Sequence, residues 1–450
     1  MAFRDSNTAE PTEKAVTTGD GSSSAANDHQ GPSSIFSALA APPYRRFWFG
    51  SLASVGATQL LIIGQGVLVF DLSGSEFLLG LAGAVTGIAT IVVTLFGGVV
   101  ADRVNKRRLI ILTSLIVSAL LFLLGSIDAA GVVRVWHVIV ISSLIGIVSG
   151  FDFPARLSLF PLLIEQRSQM MSAVALNSIL WQATRIIMPA IGGFAIAFMG
   201  TFSVFYAGAA GFFAMFLVLL TLNPDEGERS PARNALRQLA GGFQYIASDR
   251  LFVVLIPFTY VNHFFGLSYL QLIPVFSDAY GRQDDQALGF LLMSAGIGAV
   301  FGTIMTGKIR AAMPAGRVIL AGSGFTSLTV LSFALWTHFG PQPVGHENPI
   351  ISPMFFVSAL LIMISAVFNS VFLITSMTVL QLRVPPEFRG RVMGIHSMTF
   401  SLIAVGGLFG GGIAQLVNAS FAVGLSALVL FSAVLFVTGT QSVVRSLRNE

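Results

Sequence analysis

Asp152 and Arg156 stand four residues apart inside one apolar run, and Arg185 lies in the middle of the next. On a helix, side chains at that spacing share a face, so the carboxylate and the first guanidinium can meet. Arg185 falls some fourteen residues into its run, about 21 Å along a helix axis at ~1.5 Å per residue. Counting back from Glu165 puts Asp152 at a similar depth. A charge held so deep in lipid costs several kcal/mol unless it is paired or hydrated. The chemistry open to these groups is ionic. Asp152 pairs with Arg185, Arg156 or both, and the pair either breaks as the protein changes shape or statically staples two helices. Arg185 is equally suited to receive an anionic group of a substrate.

Single polar or aromatic residues interrupt other apolar runs: Gln59 and Gln65 in the first, Trp181 and Gln182 in the fifth, Asn262 and His263 in the seventh, Asn369 in the tenth. Each can line a cavity or hydrogen-bond one helix to another. An imidazole titrates near neutrality, which makes His263 a second candidate for carrying a proton. Other chemistry finds no residues. The chain has no cysteine, hence no disulfide, thiolate ligand or thiol nucleophile. Its 6 histidines have no metal-binding spacing, and no His, Asp and Glu cluster supplies a metal site or a nucleophile with its base. Neither a cofactor nor enzymatic activity is expected. Gly302, Gly307 and Lys308 are spaced as in a phosphate-binding loop, but Ile309 stands where a hydroxyl must hold magnesium, and the stretch ends an apolar run rather than following a strand. Without a nucleotide site, work must be drawn from an ion or solute gradient.

The elements that position these residues are built for lipid. The chain is 54% hydrophobic and 10% charged, against roughly 25% charged in a soluble domain. Runs long enough to cross a hydrocarbon core of about 30 Å lie near 46–70, 77–101, 107–128, 134–164, 171–199, 200–222, 251–275, 286–309, 316–337, 351–381, 390–417 and 419–440. The polar stretch Asn223 to Arg250 divides them six and six. The expected organisation is a disordered cytoplasmic tail over 1–43, a first six-helix bundle over 44–222, a cytoplasmic linker over 223–250, a second bundle over 251–440 and a cytoplasmic tail over 441–450. The first tail is rich in Ser, Thr, Gly and Ala and lacks the basic start and apolar core of a secretory signal. In the linker, Ala235, Leu236, Leu239, Phe243 and Ile246 recur at helical spacing beside Arg233, Arg237 and Gln238, the pattern of an interfacial amphipathic helix.

Threading the runs from a cytoplasmic N-terminus puts Arg45, Arg46, the Arg103 to Arg108 cluster, Arg167, Arg229, Arg233, Arg237, Arg250, Lys308, Arg310, Arg317, Arg383, Arg389, Arg391, Arg445 and Arg448 on one side. Arg134 and Arg282 fall on the other. This asymmetry is what the positive-inside rule asks of an even helix count with both termini cytoplasmic. A weak internal repeat at an offset of about 219 residues, as expected of duplicated bundles, aligns Ile191-Gly192-Gly193-Phe194-Ala195 with Gly410-Gly411-Gly412-Ile413-Ala414. A ligand path between the halves follows.

Between the second and third runs stands Gly98-Val99-Val100-Ala101-Asp102-Arg103-Val104-Asn105-Lys106-Arg107-Arg108. It resembles the signature loop of the major facilitator superfamily, Gly-x-x-x-Asp-Arg-x-Gly-Arg-Arg, with Asn105 at the second glycine, a position where Asn tolerates a left-handed backbone. A second resemblance is carried by Phe151-Asp152-Phe153-Pro154-Ala155-Arg156, by Ala173 to Ser178, by Arg185 to Gly193, by Val384 to Gly394 and by Tyr44-Arg45-Arg46-Phe47-Trp48. These are similar to the branch holding enterobactin-type siderophore exporters and macrolide efflux proteins. The resemblance implies an all-α integral membrane fold of twelve helices in two pseudo-symmetric bundles, working by alternating access. It also implies a cytoplasmic latch in which Gly98, Asp102, Arg103, Lys106 and Arg107 meet Gly390 and Arg391 at the start of the eleventh helix. In the second half the equivalent stretch, Gly302 to Lys308, has no Asp, so the latch rests on the first copy. The glycine that family exporters often carry before the fifth-helix proline is Met188 here, a departure that weakens the export pattern, while the rest of the resemblance still favours export over import. The expected cargo is a small amphipathic organic compound, with protons as the coupling ion, a bilayer as the surroundings, no nucleic acid, and a monomer in a bacterial plasma membrane. The alternatives left open are a nutrient importer and a transporter-like sensor.

Overall fold

The computed structural model describes residues 36–164, 169–223, 235–279, 286–340, 352–385 and 398–447, with 388, 392, 393, 395 and 396 between the last two stretches. Among the described residues 12 segments are helical, long and apolar enough to cross a membrane. In the first half α1 covers Pro42–Ser73, α2 Glu76–Arg103, α3 Lys106–Ala129, α4 Val135–Leu159, α5 Met170–Met199 and α6 Thr201–Leu220. The linker holds α7, Ala235–Ser248. The second half holds α8, Arg250–Gly266, and α9, Ile273–Ala279, joined by a 3-10 turn over Ser268–Leu272. It continues with α10, Gln286–Ala312, α11, Ala315–Phe339, α12, Pro353–Arg383, α13, Thr399–Leu416, α14, Ala419–Thr440, and the short α15, Ser442–Arg445.

Local chemistry sets many of these limits. Pro42 lies in the first turn of α1, where no amide hydrogen is required, and Gly74 ends that helix with a φ of 59°. Asn418 caps α14 by accepting the Phe421 amide at 2.7 Å. Asn105 does the same for α3, accepting the Arg108 amide at 2.8 Å with a φ of −63°. The reason offered for Asn105 is therefore corrected: its backbone is not left-handed, and the side chain serves as a helix cap.

Two further differences have physical causes. The seventh run is interrupted rather than continuous. Gly266 lies so close to α14 that a Cβ there would come within 2.7 Å of Leu430, and Pro274 in the second position of α9 cannot donate the bond a continuous helix needs. The end of the first tail is also folded: Ser37–Ala40 form a 3-10 turn, and the Ala38 amide donates to Ser172 Oγ at 3.1 Å. At the other terminus Val444 is buried and the Gly316 amide donates to the Leu447 carbonyl at 3.3 Å. In α7 Ile246 is buried and Phe243 exposed, while Tyr245 stacks on Phe388 at 4.7 Å. The side chains of 235–240 lie outside the described residues.

The helices pack in matching patterns in the two halves. The contacts of α2 with α4, α3 with α6 and α1 with α6 recur as α10 with α12, α11 with α14 and α8 with α14. The halves meet along two equivalent seams, α2 against α13 and α5 against α10. At both seams the tightest contacts fall at the end remote from the termini. A Cβ on Gly80 would lie 2.5 Å from the Gly407 carbonyl oxygen, and one on Gly193 would lie 2.5 Å from the Gly289 Cα. Only glycine lets backbones approach so closely. Ser75 donates across the first seam to Gln415 Oε1 at 2.8 Å. The far end of the molecule is thus shut by backbone on backbone.

Candidate transport site

Asp152 and Arg156 lie one turn apart on α4, each 9% exposed, and Arg156 Nε donates to Asp152 Oδ2. The second carboxylate oxygen accepts from the Thr113 hydroxyl of α3 at 2.7 Å. Arg156 Nη1 donates to Ser54 Oγ of α1 at 2.8 Å. The ion pair thereby ties α1, α3 and α4 together, and of the pairings open in the sequence the structure takes Arg156. Such a pair repays its desolvation only when its other lone pairs and protons are satisfied. Here the carboxylate is satisfied at both oxygens, whereas Arg156 Nη2 is buried without a hydrogen-bond partner.

Arg156 faces a small cleft lined also by Phe47, Ser51, Phe153, Asn177 and Trp181. The Ser51 hydroxyl is buried and unpartnered too. Trp181 meets Phe153 edge to face, with ring centroids 5.8 Å apart. All the lining residues come from α1, α4, α5 and the turn that follows α4, from ends nearer the termini.

One turn beyond Trp181 on α5, Arg185 reaches the other half of the molecule. Its guanidinium carbon lies 4.1 Å from the ring centroid of Phe400 on α13, a cation–π contact between the two halves. His263 of α8 meets the same ring edge to face at 5.5 Å. His263 Nδ1 lies 2.9 Å from the Thr259 carbonyl oxygen, which assigns the proton to Nδ1 and leaves Nε2 buried without a partner. His396, 2% exposed, approaches the Thr259 hydroxyl at 3.5 Å.

The remaining expected cavity residues separate. Asn262 Nδ2 donates to Ser323 Oγ of α11 at 2.8 Å, an interhelical bond that still leaves its Oδ1 unpartnered. Asn369, on α12, is buried with an unpartnered Oδ1. Gln59 and Gln65 are buried along α1, and the Gln182 side chain lies outside the described residues. Of the latch residues, Gly98, Asp102 and Arg103 continue α2, but their side chains, like Gly390 and Arg391, lie outside the described residues. Lys106 opens α3. Arg107 donates to the carbonyls of Leu219 and Leu220 at 2.8 and 3.0 Å, so it caps the end of α6, where a cation also suits the helix dipole.

Sequence reasoning missed Ser54, Thr113 and Phe400. The small-residue pattern Gly50, Ser51 and Ser54 near the start of α1 was a legible hint of close helix approach; Phe400 gave no signal, being one of 39 phenylalanines.

The family model described as transmembrane secretion effector matches residues 33–445. The enterobactin exporter EntS of Shigella flexneri is 24% identical over 363 residues, covering 79% of this chain and 80% of that protein. EntS of Escherichia coli O1:K1 is 24% identical over 370 residues with the same coverage. Among solved structures the nucleoside transporter NupG superposes with a TM-score of 0.65 at 13% identity, over 88% of this chain and 98% of that one. A bacterial homologue of the human lysosomal transporter Spinster, inward-facing and unoccupied, gives 0.62 at 16% identity, over 89% of this chain and 96% of that one.

Proposed function

The chain belongs to the transmembrane secretion effectors of the major facilitator superfamily, and on that premise we propose that it exports a small amphipathic organic compound by alternating access, driven by protons. As a transporter of this family it is a multi-pass membrane protein that acts on a small molecule in a lipid bilayer. The one-sided distribution of Arg and Lys supports cytoplasmic termini in a bacterial inner membrane. In that orientation the shut far end faces outward, and the cleft at Arg156 is on the side from which an exporter loads. The signature loop around Asp102 would hold the opposite state.

The observation that carries the reading is the buried pair of Asp152 and Arg156 beside that cleft. A proton reaching Asp152 cancels its attraction for Arg156 and frees the guanidinium toward the cleft; loss of the proton restores the clamp on α1, α3 and α4. Coupling follows if the two states of the pair are favoured by opposite-facing conformations.

The test compares small molecules in medium and cell pellet for cells with the wild-type chain, with Asp152→Asn and with neither, each with and without a protonophore. A compound that leaves only wild-type cells, and stops leaving when the proton gradient collapses, is the expected result, with Asp152→Asn folded and inactive. Accumulation inside wild-type cells would make the protein an importer. Normal efflux by Asp152→Asn would remove the pair from coupling.

A further inference from the structure

We infer that Arg185 and Phe400 form, between the two halves, a receiving site for the acidic group of an aromatic organic anion; the inference rests on the transporter reading and names the class of its cargo. Two deep guanidiniums are present, and they differ in one respect. Arg156 is neutralised by Asp152. Arg185, among the described residues, has no carboxylate within ion-pair distance; its contact is the face of Phe400. A cation–π contact offsets only part of the cost of an unneutralised charge at this depth, so the position favours an anion brought from outside.

The surroundings select what kind. Asn177, Trp181 and Arg185 recur every four residues on α5, and therefore form one row. The first two line the cleft that Arg156 faces, and the third reaches Phe400 of the other half. Trp181 and Phe153 line that cleft, and the unneutralised cation stands one turn farther along α5. Aromatic side chains next to a guanidinium suit an apolar aromatic body with an acidic group at its leading edge, whereas a hydrated inorganic ion would lose its water there without replacement. The site is incomplete in either half alone: α5 gives the cation and α13 gives the ring against which it is held. Any conformational change that parts α5 from α13 separates Arg185 from Phe400, so a bound anion is gripped in one state and loosened in the other.

The probe is 2-naphthoate, with neutral 2-naphthamide of the same shape and inorganic phosphate as controls. Binding is read by tryptophan fluorescence and by the thermal midpoint, on full-length protein in zwitterionic nanodiscs with empty nanodiscs as blanks. Naphthoate is expected to bind wild type roughly tenfold more tightly than naphthamide, the scale of a charge-assisted hydrogen bond. Arg185→Gln should bring the two ligands level, Arg185→Lys should keep a reduced preference, and Phe400→Ala should weaken both. Equal binding of the two by wild type, or a preference that survives Arg185→Gln in a protein whose ligand-free thermal midpoint is unchanged, overturns the inference. So does displacement of naphthoate by phosphate at comparable concentration. No gradient is used, so a naphthoate preference that persists while efflux proves insensitive to a protonophore overturns only proton coupling, and efflux without the preference overturns only this site.

Discussion

Thr113 is the least conspicuous member of the Asp152 cluster and offers the most direct test of it. Its hydroxyl supplies the hydrogen bond on the carboxylate oxygen that Arg156 does not take. Thr113→Val keeps the shape and removes that donor, and a hydrogen bond to a charged group contributes about 1.5–3 kcal/mol. The variant should show a lower thermal midpoint in detergent and slower efflux of the identified cargo; wild-type values for both would mean the bond contributes nothing. That Asp152 and Arg156 can meet was legible because it is local, four residues on one helix bringing two side chains to one face; the choice of Arg156 over Arg185 was not. Arg185 was legible as a buried charge but not as a partner of Phe400, because that contact depends on how α5 and α13 face each other. Asn105 misled for a related reason, since the same side chain suits a left-handed turn and a helix cap, and only the backbone distinguishes them.

At the scale of elements, the apolar runs located the membrane helices well because twenty apolar residues in a row have few other uses. The interruption between α8 and α9 was harder to read: Pro274 is visible in sequence, but the crowding of Gly266 by Leu430 comes from a helix far along the chain. The seams allow a sharper prediction. Gly193 on α5 touches the backbone of α10 at Gly289, so Gly193→Leu cannot be accommodated without parting the helices. It should hold the far end open, and a cysteine placed at Gly289 should then react several-fold faster with an external maleimide that does not cross the membrane than it does beside Gly193. No change in labelling would mean the close contact is not what shuts that end.

For the whole molecule, the repetition of packing between halves gives the fold its pseudo-symmetry, and the weak aligned repeat of glycines at 191–195 and 410–414 was its trace in sequence. What the sequence did not reveal was which end would be closed, because both ends use small residues and only the packed seams choose between them. The absence of native cysteine makes this testable by a single linkage. Ser75→Cys with Gln415→Cys, bridged by a short cleavable thiol reagent, should stop efflux completely, and reductive cleavage should restore it. Each single variant should keep transport under the same treatment. Full transport with the bridge in place would show that the seam between α2 and α13 does not open during the cycle.

The backbone-on-backbone closure at Gly80 and Gly193 also bears on what the membrane loses when no cargo is present. Protons leak through proteins along chains of water, and a chain of water needs a gap lined by polar side chains. Where main chains touch at glycine there is neither gap nor side chain, so an idle molecule short-circuits little of the voltage across its membrane. A cell could then keep many copies on standby without running down that voltage.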